Sequence, residues 1–138
     1  MLIKTYGSAI IGVNAIPITV EVNIENGMNF YLVGLPDSAV KESQQRIDAA
    51  LQNNGFKIPG KRITINMAPA DIRKEGSSYD LTIALGILAA SEQIQQEKVS
   101  DYIIMGELAL DGKLRPIKGA LPIAIKAREE GFKGFILP

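Results

Sequence analysis

The chain has 138 residues, enough for one domain with one core, and its 15 Lys and Arg balance 15 Asp and Glu to a net charge of zero. A uniformly basic nucleic-acid arm and an acidic tail are therefore excluded, local basic patches are not, and neutrality removes one barrier to self-association. With no Cys and no His, thiol catalysis, disulfides, zinc fingers and an imidazole base are excluded too. Carboxylates and amide oxygens remain as metal ligands of the kind magnesium or calcium prefers, but no EF-hand spacing occurs.

Taken in chain order, Ile3 to Val13 is rich in β-branched residues and reads as a strand, with a turn at Asn14 and Ala15. Ile16, Ile18, Val20 and Val22 alternate with Thr19, Glu21 and Asn23, the period of a half-buried strand running to Ile24. Asn26-Gly27 is a turn signal before a third strand, Asn29 to Val33, so the opening third reads as an antiparallel meander. Asp37 or Ser38 is placed to cap a helix over Ala39 to Leu51 that Asn53-Asn54-Gly55 stops.

Arg62 to Met67 is a strand with Ile63 and Ile65 inward, and Ala68 to Ser78 a loop. Asp80 to Ala90 is apolar almost all round, which predicts a central, buried helix. At that length it is far short of the roughly 20 residues a membrane span needs. The N-terminus lacks the pattern of a signal peptide. A cytoplasmic protein is expected. Tyr102 to Met105 is a strand, Glu107 to Arg115 a hairpin around Asp111-Gly112, Gly119 to Glu130 a third helix, and Phe135 to Leu137 a last short strand.

Gly55-Phe56-Lys57-Ile58-Pro59-Gly60-Lys61-Arg62 has the glycine and lysine spacing of a phosphate-binding P-loop. Arg62, however, stands where a Ser or Thr hydroxyl should hold magnesium, and the segment follows a helix and opens a strand instead of the reverse. It reads as a connecting loop, leaving no recognisable ATP site in the chain.

Lys74-Glu75-Gly76-Ser77-Ser78 precedes the buried helix, and Gly106-Glu107, Gly112, Pro116-Ile117 and Gly119 follow. This order resembles the peptidase domain of Lon. By position Ser78 matches the nucleophile, while the general-base lysine falls on Ile123 and Lys118 lies five residues early. A serine hydroxyl needs a base within hydrogen-bond reach. Ser78 is thus a relic position, and no catalytic, metal or cofactor residue is expected.

Val33-Gly34-Leu35-Pro36-Asp37, Val40-Lys41-Glu42-Ser43, Lys61-Arg62-Ile63-Thr64-Ile65-Asn66, Ala68-Pro69-Ala70-Asp71, Asp80-Leu81 and Gly106-Glu107-Leu108 together resemble the ComM/YifB family of magnesium-chelatase-like AAA+ ATPases. The family places Ser77 and Ser78 where its members vary. The resemblance implies a single Lon-like domain over residues 1–138. Its fold would be α+β: a two-layer mixed sheet with helices mainly on one face and a left-handed βαβ crossover. It further implies a chain continuing into an ATPase module that holds ATP and magnesium, a homo-oligomeric ring and a role in DNA processing. The expected partners are that module, sister subunits and DNA, and no membrane.

Basic residues fall in three groups: Lys57, Lys61 and Arg62; Arg73 and Lys74; Lys113, Arg115 and Lys118. Sharing one face, with Asp71 among them, they would make an interaction surface able to track a phosphate backbone. The reading is a non-catalytic accessory domain aiding ring assembly or DNA engagement. The alternatives are a Lon-like serine peptidase and a free-standing nucleic-acid binder.

Overall fold

The computed structural model describes residues 1–138, apart from the side chain of Asp37. β1 (Leu2–Ile11) and β2 (Asn14–Glu25) form a long antiparallel hairpin. Its turn is at Gly12 and Val13, not at Asn14 and Ala15: Gly12 has φ +62°, and Asn14 already pairs with Ile11. Glycine takes that left-handed conformation without the steric penalty of a Cβ, so it sets the turn.

The expected meander does not form. β3 (Phe30–Val33) is followed by α1 (Asp37–Asn53) and β4 (Arg62–Ala68), and β4 inserts between β2 and β3. It runs antiparallel to β2 and parallel to β3. The seven-residue β4 sets Ile63, Ile65 and Met67 level with Ile24, Val22 and Val20, so their buried side chains form one continuous apolar layer. The four-residue β3 offers less to bury, and it joins at the edge through the α1 crossover. Pro36 occupies the N-cap position of α1; the expected cap by Asp37 lies outside the described residues, and Ser38 sits within the first turn.

A 3-10 turn (Gly76–Tyr79) leads into α2 (Asp80–Ala90), whose limits are those its composition predicts. β5 (Tyr102–Ile104) pairs parallel with β1 and with β8 (Gly134–Ile136), giving the sheet order β3-β4-β2-β1-β5-β8. β6 (Glu107–Leu108) and β7 (Leu114–Arg115) form the expected small hairpin, and α3 (Ala120–Glu129) fills the last connection.

The result is a mixed α+β sheet with two of its three helices on one face. A Cβ on Gly86 would come within 2.7 Å of Val22 Cγ2, so α2 lies directly on β2. Ile47, Ala50 and Leu51 of α1 extend this layer. Thr82 ties α2 to the sheet: its hydroxyl donates to the Ile104 carbonyl, and its own carbonyl accepts from Thr5 Oγ1 at 3.0 Å. On the reverse face lies α3, with Gly119 against Ile10 and Phe132 edge-on to Tyr6 at a centroid distance of 5.4 Å. α2 is buried almost all round, with only Leu81 and Leu85 partly exposed. Among the described residues no helix is long and apolar enough to cross a membrane.

Candidate functional site: a groove between Ser78 and Ile123

The turn Gly76–Tyr79 is held at its C-terminal end. Gly106 N–H donates to the Ser78 carbonyl at 2.9 Å, and Leu81 N–H donates to the Gly106 carbonyl at 3.1 Å. The buried Tyr79 hydroxyl donates to the Ser8 carbonyl at 2.9 Å. Its ring packs tightly on Gly7: a Cβ there would stand 3.0 Å from Tyr79 Cδ1, and the ring would have to give by a few tenths of an ångström. Burial pushes the Tyr79 phenol well above the usual tyrosine value.

These contacts leave a groove of about 350 Å³ between the loop carrying Arg73 to Tyr79, the end of β1 and the start of α3. Ser78 and Ile123 both line it, although 45 positions separate them in the chain. Ile123 is 1% exposed and offers only methyl and methylene groups where proton transfer would require a base. Tyr79 and Met105 fill the floor beside it. Arg73, Glu75 and Lys118 lie on the rim.

The most heavily bonded polar group is one that sequence reasoning missed. Asp80, fully buried at the start of α2, accepts from Arg46 Nε at 2.6 Å, Arg46 Nη2 at 3.1 Å, Ser43 Oγ at 2.6 Å and Leu108 N–H at 3.1 Å. Burial pushes the carboxyl up, while Arg46, Ser43 and the Leu108 N–H pull it down. Donating hydrogen bonds to Asp80 raises Arg46 further above its already high value. A guanidinium does not give up its proton, and its two hydrogen bonds to Asp80 favour the carboxylate against the cost of burial. The pair fastens α1, α2 and β6 together behind the groove. The available signal is Asp80 itself, a lone carboxylate opening an otherwise apolar helix, where the helix dipole favours it.

The expected basic surface is not one surface. Lys74 is a correction: it is 5% exposed, and its ammonium donates to the carbonyls of Pro69 (2.6 Å), Ile72 (3.0 Å) and Gly34 (3.3 Å). It crosslinks the loops and is not free for a partner. Burial draws it below the usual lysine value against the pull of exposed Asp71. Lys57 and Lys61 lie beside Ala90 and Ser91, at the end of α2 away from Ser78. An eleven-residue helix puts about 16 Å between its ends. Arg62 stacks over Tyr31 at 5.2 Å and stands 3.9 Å from Glu25. Arg115 pairs with Glu107 at 3.6 Å, and Lys113 is on the hairpin. Of the candidates, only Arg73 and Lys118 are brought together at the groove.

The P-loop look-alike joins the end of α1 to β4. It is tied to Gln93, whose side chain accepts from Lys57 N–H at 2.9 Å and donates to its carbonyl at 2.8 Å. This is a helix-to-strand connection, so it does not fit a nucleotide phosphate. Among the described residues no group of three or more Asp or Glu side chains is placed to hold a metal.

Residues 20–138 match the family described as subunit ChlI of magnesium chelatase. The chain is 51% identical to the uncharacterized protein YifB of Escherichia coli over 126 residues, 91% of this chain and 25% of that protein. It is 48% identical to the competence protein ComM of Haemophilus influenzae over 125 residues, 90% of this chain and 25% of that protein. Lon protease 2 of Bacillus subtilis is 31% identical over 101 residues, 73% of this chain and 18% of that protein, in keeping with a Lon-like α+β domain. The chain spans about a quarter of the length of YifB and ComM; it is a domain of the magnesium-chelatase-like family to which they belong.

Proposed function

We propose that this chain is a non-catalytic accessory domain of a larger, cytoplasmic magnesium-chelatase-like ATPase, in which a former peptidase groove serves as a contact surface. Ile123, buried across the groove from Ser78, is the observation that carries this reading. A serine without an adjacent base stays protonated and poorly nucleophilic at neutral pH. ATP and magnesium belong to a module outside these residues, and the domain aids ring assembly or DNA engagement in DNA processing. Arg73 and Lys118 are the cations that would meet a phosphate backbone at the groove.

The test uses the full-length protein. Deleting residues 1–138 should lower its oligomerisation or its DNA binding. Replacing Arg73 and Lys118 together by Ala should weaken DNA binding and reduce the salt slope by about 1 for each phosphate no longer neutralised. Deletion that leaves both properties unchanged contradicts the accessory role. Casein cleavage that disappears in Ser78→Ala would establish the peptidase instead, with Lys118 reaching in from the rim as its base.

A further inference from the structure

α3 is apolar on two sides. Ile123 and Ala127 are its buried residues and face the sheet. Leu121, Ala124 and Ile125 follow the i, i+3, i+4 spacing that puts residues on one helix face, all three are exposed, and the cation Arg128 bounds the stripe at i+7. Leu121 is 71% exposed and Ile125 51%. The turn of the long hairpin adds Ile11 at 45% and Val13 at 86%, and a groove of about 480 Å³ runs between Val13, Ile16, Pro122 and Ile125. A lone exposed leucine is ordinary; a contiguous set on a helix and the turn beside it marks a surface that something covers.

We infer that a second copy of this chain covers it, with the two α3 helices packed antiparallel about a two-fold axis beside Ala124. The stripe is self-complementary. Ala124 is small enough to let the helices approach, and Leu121 and Ile125 of each copy interleave across it. The ends complement each other too. Lys118 precedes the helix, and Glu129 and Glu130 close it. Lys126 engages Glu130 at 3.2 Å but Glu129 only at 4.0 Å, so Glu129 is the carboxylate left to meet Lys118 of the second copy. Antiparallel packing makes that match twice and sets each helix's positive end against the other's negative end. A chain of zero net charge has no bulk repulsion to overcome. Such a contact is isologous, unlike the head-to-tail contacts of a ring; it draws on Lys118, which also lines the Ser78 groove, so Ile125→Asp, outside that groove, is the variant that tests it apart from the groove's role.

The chain contains no cysteine, which makes the contact directly readable. Ala124→Cys should form a disulfide-linked dimer in mild oxidant, while Glu97→Cys on a remote exposed loop should not. Sedimentation of the unmodified chain should show a concentration-dependent dimer between about 1 μM and 1 mM, the affinity range of a modest interface. Ile125→Asp should abolish both the dimer and the Ala124→Cys crosslink and, because the position is exposed, should leave unchanged the melting temperature measured at concentrations where the unmodified chain is monomeric. Lys118→Glu should weaken the dimer, and adding Glu129→Lys should restore it. A monomer across the whole range, or a dimer indifferent to Ile125→Asp, overturns the proposal.

Discussion

Arg46 and Asp80 meet through two hydrogen bonds, of 2.6 and 3.1 Å, from α1 to the first residue of α2, with the carboxylate fully buried and the guanidinium partly exposed. Removing Arg46 alone leaves that carboxylate buried with only Ser43 and the Leu108 N–H as partners. Arg46→Ala should therefore cost about 3–5 kcal/mol, the usual penalty for orphaning one member of a buried pair. Urea denaturation reads it. A loss no larger than that of Lys41→Ala, an exposed position on the same helix, would mean the pair contributes nothing to joining α1 and α2.

Gly86→Ala should destabilise the fold, against local helix propensity. Alanine is ordinarily better than glycine in a helix interior by about 1 kcal/mol. Here the added Cβ would stand 2.7 Å from Val22 Cγ2. Overpacking of this kind costs about 1–3 kcal/mol and should win. Pairing the change with Val22→Ala should recover part of the loss, since the second substitution removes the colliding methyl. Thermal melts of the three variants settle the sign.

Stability should fall at alkaline pH because of Tyr79. Its folded-state phenol is raised above the ordinary tyrosine value by burial, so the folded protein keeps a proton that the unfolded chain gives up. The stabilisation is whole below the unfolded value of about 10 and drains away as pH rises beyond it, with a limiting slope of about 1.4 kcal/mol per pH unit. Tyr79→Phe should flatten this slope while losing the hydrogen bond to Ser8, worth about 1 kcal/mol. The ultraviolet difference between the two proteins should show no phenolate until the fold melts. A step near pH 10 in that difference, the ordinary tyrosine value, would contradict the buried hydroxyl.

Lys74→Met keeps much of the buried stem but removes the ammonium that bridges the carbonyls of Gly34, Pro69 and Ile72. Hydrogen bonds to a charged group contribute about 1.5–3 kcal/mol, so a loss in that range is expected. Its local signature should be faster proteolysis between Ala68 and Gly76. Unchanged cleavage there would show that the loop is held by something else.

Much of the fold can be read from the chain because the signals are local. The limits of α2 follow from an almost wholly apolar run opened by Asp80, the alternation of β2 from period two, and the small hairpin from Asp111-Gly112, where Gly112 has φ +91°. Ser78 and Ile123 are likewise matched by position alone, and both line the groove. The features that depend on tertiary packing are long-range. Asn26-Gly27 signals a turn but cannot say which strand β3 will join; β4 takes the place beside β2 because its longer alternating run buries more. Lys74 in a polar loop reads as surface, and only folding brings three carbonyls around it. Arg46 reads as one more helix charge until α1 packs against α2 and delivers it to Asp80, 34 residues on. Sequence gives proximity along the chain and not the face on which a loop emerges, so the basic groups could be offered as one patch; the length of α2 keeps Lys57 and Lys61 away from Arg73 and Lys118.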